Sequence, residues 1–214
     1  MTAQMTSSVT VLGHGSAAAS PDIMRITVSV EARRPEVTSA FDQAGHAARA
    51  VSEALRAAGV SPTDVSTTGL SVHADTVWQE NQGQQVVGYI ASTALSVTLR
   101  DLSDPGRVIA DCVGAGGDDV RLGGLELGIA DQAGLLGQAR DAAFADALAK
   151  AKQYAGLSGR ELGTVVEVSE DVDSPPMPMP RPMVRAMKAS ADAMPIERGE
   201  TELSATVRVR WTLI

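Results

Sequence analysis

Five methionines in the segment 174–195 are the residues whose type and spacing come closest to a binding site. They are Met177, Met179, Met183, Met187 and Met194. Thioether sulfur is a soft metal ligand, and clustered methionines favour Cu(I). Methionine is also an adaptable contact residue at protein surfaces. The sequence leaves three interpretations open: Cu(I) capture, contact with a protein or a second subunit, and a loop without a function.

Prolines restrict the backbone conformation of the segment that contains these methionines. The same segment holds six prolines, several of them at alternate positions. Each proline removes a backbone donor, so we expect an extended or disordered loop rather than a helix or an inner strand. A loop of this length is typical of a functional or disordered segment.

The histidines and the glycine-rich runs do not form a known catalytic or nucleotide-binding motif. His14, His46 and His73 lie in different predicted elements and lack the spacing of a metal site. Gly13-His14-Gly15 lacks the third glycine and the following helix of a dinucleotide-binding turn. No serine stands in a G-x-S-x-G elbow. Nucleophilic catalysis of the hydrolase type is therefore not predicted.

Cys112 is the only cysteine, so the chain cannot form an internal disulfide or a thiolate cluster. We interpret it as a small buried side chain at the end of a helix. A redox-sensing thiol is the alternative. That use is disfavoured because no Lys, Arg or His stands beside Cys112 to lower its pKa.

The carboxylates give no sign of a catalytic pair. Asp118 and Asp119 fall in a predicted turn, where we expect them to be solvated. Arg140, Asp141 and Asp146 fall on a predicted long helix, where we interpret them as its wet face. No carboxylate pair lies inside an apolar strand, where burial would raise its pKa. We therefore predict that the protein is not an enzyme and uses no cofactor or resident metal.

Composition narrows the class of partner and the location. Aromatic residues make up 3% of the 214 residues, and the formal net charge is -8. Few stacking platforms and an acidic surface both disfavour nucleic-acid binding. The sequence shows no membrane span and, as given, no signal peptide, which predicts a cytoplasmic location. The location would be periplasmic or in the cell envelope if an export signal had been trimmed.

Hydrophobic periodicity predicts the elements of the first half. A short strand starts at Val9 and ends at Gly13-His14-Gly15, and a second strand covers 23–30. A helix follows, with one face formed by Phe41, Ala44, Ala48, Val51 and Leu55. Strands at 65–77 and 86–99 complete a β-β-α-β-β order, which we interpret as one helix packed across one antiparallel sheet.

The second half of the chain has a similar order of predicted helices and strands. Asp104 is the predicted N-cap of a short helix and Asp131 that of a long one. Strands are predicted at 120–129, 162–168 and 201–213. In the last strand, Leu203, Ala205, Val207, Val209 and Trp211 share one face. The fold class is therefore α+β, with antiparallel sheets, helices packed on one face and repeated β-α-β units.

Four short motifs follow one another along the chain. They are Val9-x-Val11-x-Gly13-x-Gly15 up to Pro21-Asp22; Ala143-x-x-Asp146-Ala147-x-x-Lys150-Ala151 with Tyr154-Ala155; Leu162-Gly163; and Pro195-Ile196-x-x-Gly199-Glu200 before the last strand. Together they resemble the SIMPL-domain family over nearly the whole chain. On this basis residues 1–214 are expected to form a single SIMPL-like domain with a Pro/Met-rich loop at 174–195.

The resemblance implies a function carried by surfaces. One bacterial periplasmic relative assembles into a large ring- or channel-like homo-oligomer, others are linked to oxidative-stress tolerance, and an animal relative binds a signalling kinase. The family has no established catalytic residues to carry over. We therefore expect a non-enzymatic, self-assembling structural protein associated with the envelope or with stress tolerance. The alternative is a protein- or Cu(I)-binding module that acts through the Met/Pro-rich loop.

Overall fold

A computed structural model describes residues 7–80, 83–170, 179–181 and 196–214, with the backbone alone at 179–181. The described chain forms helices and antiparallel sheets, which confirms the α+β class. It divides into two compact units, each with its own four-stranded sheet. The expectation of a single domain over 1–214 stays a prediction.

The strands and helices follow in this order along the chain: β1 (Ser8–Ala19), β2 (Ile23–Arg34), α1 (Val37–Ala57), β3 (Val65–Gln79), β4 (Gly83–Leu99), α2 (Pro105–Gly116), β5 (Val120–Gly128), α3 (Gln132–Leu157), β6 (Leu162–Glu170), β7 (Met179–Arg181) and β8 (Glu200–Leu213). Asp104 accepts a hydrogen bond from the N–H of Arg107, and Asp131 accepts one from the N–H of Gly134. Both predicted N-caps are therefore confirmed.

One unit consists of a sheet in the order β3-β4-β2-β5 with α1 and α2. Alternate residues of β2 are buried against α1 because successive side chains of a strand point to opposite faces. These buried residues are Met24, Ile26, Val28, Val30 and Ala32. Their opposite face is polar and carries Arg25 and Arg33. The hydrophobic core thus lies on the helix-bearing face of the sheet.

The helix face that buries against this sheet differs in part from the predicted one. Ala44, Val51 and Leu55 are buried as expected, whereas Phe41 is exposed. Ala40 and Ala47 are buried instead. The small alanines lie on the side toward the sheet because they allow the helix to approach its strands closely.

The other unit has β8 at the centre of its sheet, with β1 on one side and β6 and β7 on the other. The predicted buried face of β8 is confirmed, and Trp211 at 2% exposure is its largest side chain. Helix α3 packs on this face through alanines spaced four apart, namely Ala139, Ala143, Ala147, Ala151 and Ala155. The ring of Phe144 lies 6.1 Å from that of Trp211.

Two sequence predictions about strand pairing are wrong. Strand β1 does not end at Gly13-His14-Gly15 but continues to Ala19, and it pairs along its whole length with β8 instead of joining the sheet of the first half. Strand β5, expected in the second half of the fold, pairs with β2. The order β-β-α-β-β therefore does not form one sheet. Among the described residues, no helix is long and apolar enough to cross a membrane.

Candidate functional site

The methionines that the sequence singled out lie mostly beyond the described residues. Met177, Met183, Met187 and Met194 fall outside them. Met179 lies in β7, whose backbone pairs with β8 opposite Glu202. The hypotheses of Cu(I) capture and of a partner contact at this loop stay predictions.

The three histidines lie on three different elements, His14 on β1, His46 on α1 and His73 on β3. The Nδ1 of His14 lies 3.1 Å from the hydroxyl of Thr206, and the Nδ1 of His46 lies 2.8 Å from the carbonyl oxygen of Asp42. His73 is exposed on β3. Within the described ranges, no three His, Cys, Asp or Glu side chains are grouped so that they could hold a metal ion.

Gly13 and Gly15 lie where β1 crosses α3. A Cβ on Gly13 would overlap the carbonyl oxygen of Ala143 and lie 2.7 Å from the Cβ of Ala147. A Cβ on Gly15 would overlap backbone atoms of Ala139 and Ala143. The two glycines therefore allow strand and helix backbones to touch, which is a packing role and not phosphate binding.

Asp146 and Lys150 bind the backbone of β1 at the same crossing. The N–H of His14 donates to Oδ2 of Asp146 at 2.8 Å. The Nζ of Lys150 donates to the carbonyl oxygen of Leu12 at 3.0 Å and to Oδ2 of Asp146 at 2.6 Å. These two side chains thus satisfy outer backbone groups of an edge strand.

The electrostatics of Asp146 follow from these contacts. Hydrogen bonds from the Lys150 ammonium and from the His14 N–H lower the pKa of the Asp146 carboxyl below its ordinary value of 3.8. Both contacts favour the charged form of the carboxyl. The interpretation of Asp146 as part of a wet helix face is incomplete, because the side chain is 35% exposed and its carboxylate also joins α3 to β1.

Asp119 also differs from its prediction. Its Oδ2 accepts a 3.3 Å hydrogen bond from Arg34 and a 2.9 Å hydrogen bond from Gln43. The side chain is 16% exposed. The expectation of a solvated carboxylate is wrong here because the turn before β5 places Asp119 against β2 and α1.

A shallow cleft of about 250 Å³ lies between the end of α1 and the start of α2. Its main charged feature is Asp64, which accepts hydrogen bonds from the Nε and Nη2 of Arg100 at 2.9 and 2.8 Å. This bidentate pair lowers the pKa of the Asp64 carboxyl. Asp104, which also lines the cleft, caps α2. The carboxylates of Asp64 and Asp104 are thus engaged in local structure.

Cys112 lies on α2 and is fully buried in the core. Burial, reinforced by the nearby Asp111 charge, raises the pKa of its thiol to about 11. The interpretation of Cys112 as a small buried side chain is confirmed, and a raised pKa is the opposite of what a reactive thiol needs.

The most unusual surface lies on the β3–β4 hairpin, which sequence reasoning did not single out. Trp78 is 80% exposed and Leu70 is 69% exposed. Four valines of the same hairpin are also exposed by 40% or more: Val72, Val77, Val86 and Val87. Exposed large apolar side chains grouped on one hairpin are a sign of an interaction surface. The signal in the sequence is the alternation of apolar residues along the two strands of the hairpin, with no helix between these strands that could cover them.

Comparison with known proteins identifies the family. A family model described as SIMPL, a protein of unknown function (DUF541), matches residues 9–211. The chain belongs to the SIMPL family. The Gly13-x-Gly15 and Asp146-x-x-x-Lys150 positions on which the sequence resemblance rested are thus the positions that join β1 to α3.

Two curated relatives illustrate what the names of similar proteins state. The chain is 34% identical to the 26 kDa periplasmic immunogenic protein of Brucella melitensis over 210 residues, covering 94% of this chain and 82% of that protein. It is 26% identical to the uncharacterized protein YggE of Edwardsiella ictaluri, covering 93% and 81%. Neither name states an enzymatic activity. The expectation of a cytoplasmic location gains no support from these relatives.

Proposed function

We propose that this SIMPL-family chain is a non-enzymatic structural protein that self-assembles in the bacterial periplasm. The observation that carries the proposal is the exposed apolar surface of the β3–β4 hairpin, above all Trp78 and Leu70. Isolated monomers rarely leave such side chains together in water because exposing them costs about 25 cal/mol per Å². Covering this surface in an assembly removes that cost.

The engagement of the charged groups supports a role without catalysis. Asp146, Asp119 and Asp64 each hold two elements together through hydrogen bonds or ion pairs. A general acid or base needs a reachable proton and a pKa near the working pH. The described carboxylates with shifted pKa values are shifted downward, away from neutral pH.

The location and the form of the assembly rest on the relatives and on the resemblance. The periplasm is proposed because the Brucella relatives are named as periplasmic proteins. A closed ring or channel is the form that the family resemblance implies, and a link with the envelope or with oxidative-stress tolerance follows from the same source. A closed assembly has the further advantage that it leaves no interface unpaired.

Light scattering after size-exclusion chromatography, together with negative-stain images, tests the proposal. We expect the mass to exceed that of the 22.1 kDa chain and to rise with protein concentration. Images are expected to show closed particles with a central opening. A mass of one chain throughout the micromolar range would overturn the proposal.

A further inference from the structure

The edge strands of the two sheets differ in whether side chains cover their outer backbone groups. The edge of β1 is covered at Leu12 and His14 by side chains of α3. Strand β3 is also an edge, since among the described strands it pairs with β4 alone. It is fifteen residues long and contains no Lys, Arg or Pro, the residues that usually protect an edge. Two register shifts are the protective features that it does have.

Apolar side chains lie on one face of β3 beside this open edge. In the register with β4, Leu70 lies opposite Thr93 and Val72 opposite Ala91, and Ala91 in turn lies opposite the buried Ala32 of β2. Leu70 and Val72 therefore occupy the helix-bearing face of the sheet, yet they are 69% and 40% exposed. The core that covers this face at β2 reaches Val65 at the start of β3 but does not extend to Leu70 and Val72.

From this arrangement we propose that β3 is the strand through which two copies of the chain pair, antiparallel and about a twofold axis. The pairing would join two four-stranded sheets into one of eight strands. This proposal rests on the proposed function, since it names the surface through which the assembly begins. A second contact elsewhere on the chain would then extend the pair into a larger particle.

The charge of the strand favours a second copy as its partner. Two chains of formal charge -8 repel each other, so a self-contact needs a surface of low charge. The only charged residue of β3 is Asp75, and it forms a 3.1 Å ion pair with Arg33. Strands that pair antiparallel with their own copy therefore bring no uncompensated like charges together.

The size of the edge also suits a dimer. Fifteen residues extend over about 50 Å, and an edge about 10 Å thick presents roughly 500 Å². The exposed side chains of Trp78, Leu70 and Val72 bring the contact toward the ~800 Å² per partner of a standard interface. The competing edges, β5 and β6, each have nine residues.

Two lysines on the apolar face test the pairing. We compare the natural chain with a Leu70→Lys/Val72→Lys variant and with a control, Leu122→Lys, on the 48% exposed site of edge strand β5. Since all three positions are exposed, circular dichroism and thermal unfolding should stay unchanged. Sedimentation velocity should show a rise of at least about tenfold in the dimer Kd of the double variant alone, since its lysines meet their own copies.

The outcomes separate this inference from the proposed function. A natural chain that stays a monomer overturns both. A double variant that assembles as the natural chain does overturns the β3 pairing and leaves self-assembly standing. Dissociation by Leu122→Lys without dissociation by the double variant also overturns it, and places the contact at β5.

Trp78 provides a second, independent measurement. A Trp211→Phe variant leaves Trp78 as the one tryptophan, and its emission should shift to the blue as concentration raises the dimer fraction. Emission that stays red while sedimentation shows dimers overturns the inference. So does emission that is blue at every concentration and turns red when residues 182–195 are deleted, because the chain itself would then cover β3.

Discussion

The backbone N–H of His14 donates a 2.8 Å hydrogen bond to Oδ2 of Asp146, a residue 132 positions further along the chain. Lys150, one helical turn beyond, binds the same carboxylate and the carbonyl oxygen of Leu12. A carboxylate and an ammonium group thereby bind outer backbone groups of β1 on the side where no described strand pairs with it. The contact attaches α3 to the first strand of the fold.

Removing the carboxylate should loosen β1. We expect Asp146→Ala to lower the thermal unfolding temperature and to speed amide hydrogen exchange at His14, because that N–H loses its acceptor. Asp141→Ala is the matched control on the same helix, at an exposed site. Exchange measured by mass spectrometry on the β1 peptide checks the effect. Equal exchange in both variants would show that the hydrogen bond does not protect the strand.

Adding one methyl group to Gly13 should disrupt the crossing of β1 and α3. Gly13→Ala places a Cβ against the carbonyl oxygen of Ala143, a backbone atom that cannot rotate away. We expect a loss of about 1–3 kcal/mol or more in the free energy of unfolding, measured with urea. The control is Gly137→Ala in α3, where nothing lies within 4 Å. It should gain about 0.5–1 kcal/mol. A Gly13→Ala variant as stable as the control would contradict the close contact.

Acid should weaken the Asp64–Arg100 pair. Hydrogen bonds from Arg100 hold the folded pKa of Asp64 below its ordinary value of 3.8. The unfolded chain therefore binds the proton more readily, so the contribution of this pair is present above about pH 4 and is lost as the pH falls through the lowered folded value. Unfolding followed from pH 7 to pH 2 should show Asp64→Asn less stable than the natural chain at neutral pH and equal to it in acid.

The exposed Glu53 of α1 provides the charge control for this substitution. Glu53→Gln removes one negative charge and should leave the free energy of unfolding at pH 7 close to that of the natural chain. A difference between Asp64→Asn and the natural chain that persists at pH 2 would mean that the substitution acts through something other than charge.

The Cys112 thiol should be inert in the folded protein. Its side chain is fully buried, and burial raises its pKa to about 11. At pH 8 little thiolate forms, so we expect Ellman's reagent to react only after denaturant is added. Rapid reaction of the native chain would revive the alternative of a redox-sensing thiol.

Local structure was predictable from the sequence where short-range rules decide it. Asp104 and Asp131 were recognisable as N-caps because a carboxylate next to a helix start accepts an unpaired N–H. The buried face of β8 followed from the alternation of Val207, Val209 and Trp211 with polar residues. These features depend on neighbours within a few positions.

Strand partners were decided by the tertiary structure alone. The sequence led us to expect β1 in one sheet with the other strands of the first half, whereas β1 pairs with β8 so that Val11 lies opposite Val209. Alternation shows which side chains of a strand are buried but not which strand lies beside it, because every edge offers the same backbone groups. The position of the terminal strand at the centre of its sheet is likewise a tertiary feature.

The sequence by itself determined that this protein is an α+β member of a recognisable family, and it marked Gly13, Gly15, Asp146 and Lys150 as part of that resemblance. Only the tertiary structure showed why those residue types stand there. A glycine contact and a side chain that binds a distant backbone exist only when strand and helix meet, 130 residues apart in the chain. The open edge of β3 was decided in the same way, because exposure depends on what packs against a strand and not on its own residues.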